Sequence, residues 1–148
     1  MTECIPEDLT TLTNKLTAVS ERLLSLAEDL YGPRATTEWT FVGVEVNDRP
    51  PSLVYYPEKG WVTISLSTKV IDNADQCLFQ LAHEVGHLLY PIADPRTSIL
   101  PPTITLNEGV STHFSLIALQ MYSGEDACQN AYENLRLHSQ NYFAALNL

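Results

Sequence analysis

His83, Glu84 and His87 are the residues of this chain whose types and spacing could do chemistry. They stand in Leu81-Ala82-His83-Glu84-Val85-Gly86-His87-Leu88, a His-Glu-x-x-His pattern inside an apolar run. On a helix, residues four apart lie one above the other on the same face, so both imidazoles can point at one ion. Glu84 follows His83 directly and can reach a water on that ion without ligating it. Two neutral imidazoles and a neighbouring carboxylate are what a hydrolytic zinc site needs from one helix. A plainer reading makes the histidines surface residues and Glu84 a solvated carboxylate. The neighbours oppose it. Apolar residues from Cys77 through Leu81 and Val85 to Tyr90 surround the helix almost completely. A helix apolar all round is buried, and buried His and Glu need partners or a metal.

A catalytic zinc takes three protein ligands and leaves the fourth position for water. Glu108 is the best third ligand. It lies 21 positions after His87, across a loop long enough for the next helix to return beside the first. A rival explanation is local: Thr105-x-x-Glu108 fits a capping box and would account for Glu108 without a metal. His113 is the rival ligand, but it falls five residues after Glu108 and so on another side of the helix, which suits a supporting or core histidine better.

The elements that must position these residues read as follows. Glu7–Tyr31 is a long amphipathic helix, with Leu9, Leu12, Leu16, Val19, Leu23, Leu26 and Leu30 at threes and fours, stopped by Gly32-Pro33 and expected to pack across a sheet. Trp39–Val46, Leu53–Tyr56 and Trp61–Leu66 read as strands separated by the turns Asn47–Pro51 and Pro57–Gly60. The expectation is a three-stranded antiparallel meander whose last strand lies by the cleft, where an edge could pair with an extended peptide. Asn73 and Gln76 form a capping box that opens the His-Glu-x-x-His helix, which runs to about Tyr90. Ile92–Thr103, set among Pro91, Pro95, Pro101 and Pro102, is expected to be a stiff non-helical loop walling the cleft. A helix from Leu106 to about Tyr122 and a last one from Glu125 to Leu146 complete the chain, with Ser123-Gly124 between them.

At 148 residues the chain is expected to be a single α+β domain, 1–148, large enough for a real core. Its formal charge of −10, from 18 acids against 8 bases, disfavours nucleic acid and anionic membrane surfaces. No apolar run approaches a membrane span, and the acidic N-terminus has no basic n-region or apolar h-region, so no signal peptide is expected. Cys4, Cys77 and Cys128 are widely spaced with no C-x-x-C, which reads as reduced thiols in a cytoplasmic protein and argues against a cysteine zinc site.

His83-Glu84-Val85-Gly86-His87 followed by Asn107-Glu108-Gly109-Val110-Ser111 resembles the gluzincin metallopeptidases, over roughly residues 61 to 122. In that family the third ligand is a glutamate on a helix following the first. Thermolysin-like members and the minimal gluzincins carry Asn-Glu-x-x-Ser-Asp. Asn107, Glu108 and Ser111 match it, and Thr112 stands where the aspartate that normally hydrogen-bonds the first histidine would be. Leu106–Gly109 is also similar to the matching segment of zinc aminopeptidases, whose Gly-x-Met-Glu-Asn motif is absent here. The resemblance implies a zincin-like fold and a zinc-dependent peptidase, with His83, His87 and Glu108 on the metal and Glu84 as general base. It implies an oxyanion donor later in the chain. Tyr90, Tyr132, His138 and Tyr142 are candidates, and His138 and Tyr142, four apart on the last helix, share a face. The expected partner is a peptide or protein substrate. The alternative is a non-catalytic or latent zincin scaffold with bound zinc, needing a protein partner to complete its cleft.

Overall fold

The protein is described here from a computed structural model. The structure describes residues 4–35, 37–90 and 101–145, with side chains described over 9–35, 37–90 and 105–137. It is α+β, with helices α1 (Cys4–Tyr31), α2 (Ala74–Leu89), α3 (Pro101–Tyr122) and α4 (Glu125–Ala145). Strands β1 (Thr40–Asn47), β2 (Ser52–Tyr56) and β3 (Trp61–Ser67) form one small sheet between α1 and α2 in the chain. No described helix is long and apolar enough to cross a membrane.

The sheet is mixed, in the order β1-β3-β2, and not the antiparallel meander expected. β2 and β3 do form the expected hairpin, with Tyr56 opposite Trp61 and Gly60 at φ 67° closing the turn. β1, however, pairs in parallel with β3, Asn47 lying opposite Ser67. The segment 48–51 therefore carries the chain over the end of β3 to its far side. Two strand spacings are about 9.5 Å, which four extended residues cover easily. Pro50 and Pro51 favour such an extended crossing and cannot build a tight primed hairpin turn. Asp48 accepts a hydrogen bond from Thr68 Oγ1 at 3.4 Å, fastening the crossing at the end of β3. The central place falls to the strand that can be covered on both faces: Val62, Ile64 and Leu66 face the core, and the small polar Thr63, Ser65 and Ser67 are buried on the other side. β3 thus has no free edge to offer a peptide. The edge strand near α2 is β2.

α1 crosses the sheet at β1, as expected of it. Gly43 marks the crossing. It follows a bulge at Val42, holds φ 138°, and a Cβ there would stand 3.0 Å from Thr17 Oγ1. That hydroxyl accepts the Val44 N–H at 3.0 Å. Leu23 and Ala27 of α1, Leu81, Val85 and Leu88 of α2, and Phe114 and Ala118 of α3 join the β3 side chains in one core. α3 packs antiparallel to α2, and α4 packs on α3.

α3 begins at Pro101, five residues earlier than expected. Prolines at the first positions of a helix lose no hydrogen bond, because those N–H groups have no intrahelical partner. Pro101, Pro102 and Thr103 therefore belong to the helix and not to the stiff loop. The rest of that loop, 91–100, lies outside the described residues.

Candidate metal centre

α2 starts where the sequence says it should: Asn73 Oδ1 accepts the Gln76 N–H at 3.0 Å. From that cap the helical period turns His83 and His87 to one side and buries Glu84 beside them. His83 Nε2 and His87 Nε2 stand 3.1 Å apart. The donor atoms of His83, Glu84 and His87 all lie within 4.8 Å of one another, a group that could hold a metal ion. Glu108 also reaches the histidine pair. Its two oxygens lie 3.1 Å from His83 Nε2 and 3.2 Å from His87 Nε2. Because α3 starts at Pro101, Thr105 and Glu108 sit inside the helix, so the capping-box account of Glu108 does not hold.

Three donor groups at mutual distances of 3.1 to 3.2 Å fit one ion. A tetrahedral centre with bonds of about 2.0 Å spaces its ligands about 3.3 Å apart. The hydrogen bonding around His87 supports this fit. Asn107 Nδ2 donates to the Tyr90 carbonyl at 2.9 Å, so Asn107 presents its Oδ1 to His87 Nδ1. His87 Nδ1 must then carry the proton, with Ser111 Oγ also within 3.2 Å. Its Nε2 then faces a Glu108 oxygen at 3.2 Å, an arrangement that a proton or a metal ion between them would satisfy. Fixing a ligand's tautomer through its other ring nitrogen is the usual work of groups around a metal.

His83 is held differently. The Phe79 ring stacks on it at 6.5 Å and 20°. Among the described residues nothing hydrogen-bonds its Nδ1, and Thr112 does not stand in for the missing aspartate. Burial, and then the nearby His87, lower its pKa, which keeps the imidazole neutral and available as a ligand.

Glu84 is 5 % exposed, buried beside the two histidines. Burial first, and the charge of Glu108 second, push its pKa up to about 7. A carboxyl with that proton affinity beside a metal-capable cluster is suited to taking and returning a proton.

Close packing holds the two helices in register. Gly86 lies against α3 where an added Cβ would be 2.7 Å from Ser111 Cα. The Ser115 hydroxyl donates to the Phe79 carbonyl at 3.0 Å one turn further along. Sequence reasoning did not assign Asn107 and Ser111 any role toward His87. Their position one residue before and three after Glu108 was the only signal.

The remaining candidates separate. His113 is exposed and so not a core residue, and its Nδ1 lies 2.5 Å from the Tyr31 hydroxyl. Tyr90 contributes its backbone carbonyl, and its side chain is about half-exposed. Tyr132 is half-exposed on α4. The side chains of His138 and Tyr142 lie outside the described residues.

The chain matches no protein-family model, no curated protein and no solved structure.

Proposed function

We propose that this chain is a zinc-dependent peptidase of gluzincin type, with His83, His87 and Glu108 holding zinc and Glu84 as general base. The observation that carries the reading is the convergence of both Nε2 atoms and the Glu108 carboxylate within 3.2 Å, beside the buried Glu84. Two imidazoles and one carboxylate are a donor set that suits zinc. What zinc supplies when bound is Lewis acidity and a water acidic near pH 7.

The protein's own contribution is orientation and proton transfer. Asn107 and Ser111 keep His87 in the tautomer whose Nε2 can ligate. Phe79 fixes the plane of His83. Glu84 accepts the proton of the attacking water and hands it to the departing amine. The unpaired thiols of Cys77 and Cys128 fit a reducing, cytoplasmic setting.

A purely structural metal would leave the buried Glu84 without a task, which favours the enzyme over a non-catalytic scaffold. The test is digestion of a mixed peptide library by the zinc-loaded protein, read by mass spectrometry, beside zinc-loaded Glu84→Gln. Cleavage by the wild type alone is expected. Cleavage by both would refute the general-base role. Cleavage by neither, with one zinc per chain, would favour the latent, partner-dependent scaffold.

A further inference from the structure

A second feature shares the metal centre's side of α2. Gln76, Gln80, His83 and His87 follow one another at spacings of four, three and four, and so form a single stripe on the helix. Along its first half the stripe borders a groove of about 600 Å³ between α2 and α4. The groove exists because α4 packs on α3 and stands off from α2. Since α3 is antiparallel to both, its two walls run alongside each other. Its floor is apolar, made by Phe79, Leu119, Ala131 and Leu135. Its rims carry carboxamides from both walls, Gln76 and Gln80 on α2 and Asn130 and Asn134 on α4. Phe79 lines the groove and also stacks on His83, so the groove ends beside the metal-capable cluster.

The chemistry of the lining selects an occupant. A carboxamide donates and accepts like a peptide group, so two facing rows match a main chain whatever its sequence. The apolar floor can take a side chain. In a chain of net charge −10, Asp75 is the only charged residue lining the groove among the described residues. That excludes recognition by charge as the main device.

We propose that this groove holds an extended, uncharged stretch of polypeptide and delivers it to the histidine pair. The proposal rests on the metallopeptidase reading above and adds to it where the substrate chain lies. From Gln76 to His83 the helix rises about 10 Å, the span of about three extended residues.

The test uses the full-length zinc-loaded protein and hydroxamates, which anchor to the metal. Acetohydroxamate is compared with two series of capped, uncharged peptides of one to five residues. One series carries the hydroxamate at the C-terminus and the other at the N-terminus. Dissociation constants are measured by calorimetry. In one of the series the affinity is expected to rise by about tenfold up to about three residues and then level off. Ala131→Trp, which fills the groove, should abolish that gain while leaving acetohydroxamate binding unchanged. The milder pair Gln80→Ala with Asn130→Ala should reduce the gain and guards against a folding defect in the tryptophan variant. No gain with length in either series, or a gain that survives both variants, overturns the groove as the substrate site. Failure of acetohydroxamate itself to bind, with zinc confirmed in place, would instead show a closed, structural zinc and overturn the metallopeptidase reading on which the groove depends.

Discussion

Gly86→Ala tests the claim that the proposed metal centre depends on how closely α2 and α3 approach. The new Cβ would stand 2.7 Å from Ser111 Cα, 2.8 Å from its Oγ and 3.0 Å from its Cβ. Ordinary contact begins at 3.4 Å, so α3 must retreat by about 3.4 − 2.7 = 0.7 Å. The nearest atom is backbone, and no change of rotamer relieves it. The retreat falls on the turns that carry Asn107, Glu108 and Ser111, all of which touch the histidines. Overpacking of this kind costs about 1–3 kcal/mol, and replacing a helical glycine by alanine returns about 1 kcal/mol. The expected net loss of apo stability is therefore about 0–2 kcal/mol. The loss of zinc affinity should be larger in effect, about 10–100-fold, because the ligand and the groups orienting it are displaced together. Chelator competition measures the affinity, and thermal unfolding of the metal-free protein measures the stability. Gly109→Ala is the control. Nothing lies within 4 Å of a Cβ there, so it should leave affinity unchanged and raise stability by up to about 1 kcal/mol. Wild-type zinc affinity in Gly86→Ala would refute the reasoning.

Three further outcomes are expected. Glu84, raised from 4.5 to about 7 in the metal-free fold, binds its proton more tightly folded than unfolded. The fold therefore loses about 3 kcal/mol as pH climbs from 4.5 through 7, and metal-free Glu84→Gln should gain on the wild type by that amount between pH 4.5 and pH 8; denaturant melts at both pH values check it, and a difference independent of pH would sink it. Asn107→Ala frees His87 to take the wrong tautomer and should weaken zinc binding by about 10–100-fold without abolishing it, as read by chelator competition. Glu108→Ala should weaken zinc more than Asn107→Ala does, whereas His113→Ala should leave it unchanged; the same titration would reverse the assignment of the third ligand if His113→Ala were the damaging change.

Much of the site was legible in the sequence because its main rule is local. A helical period of 3.6 residues places His83 and His87 on one face wherever the helix sits, and Asn73 announces where that helix begins. The β2–β3 hairpin was legible for the same reason: Gly60 can take the positive φ its turn needs. The burial of Glu84 followed from the apolar residues around it.

Tertiary structure decided what local rules leave open. The segment holding Pro50 and Pro51 reads as a turn whether it joins neighbours or bridges over a third strand; only the competition for the buried central place put β3 between β1 and β2. Thr105 and Glu108 are compatible with a cap or with a helix interior, and the start of α3 at Pro101 selected the interior. His113 was drawn to Tyr31, a residue 82 positions away. The helix-to-helix distance at Gly86, which brings Asn107 and Glu108 onto the histidines, is likewise a property of packing. The sequence could specify which atoms are placed to bind a metal because that depends on spacing along one helix. Whether a third donor reaches them depends on where a second helix comes to rest, and that is settled only when the core is filled.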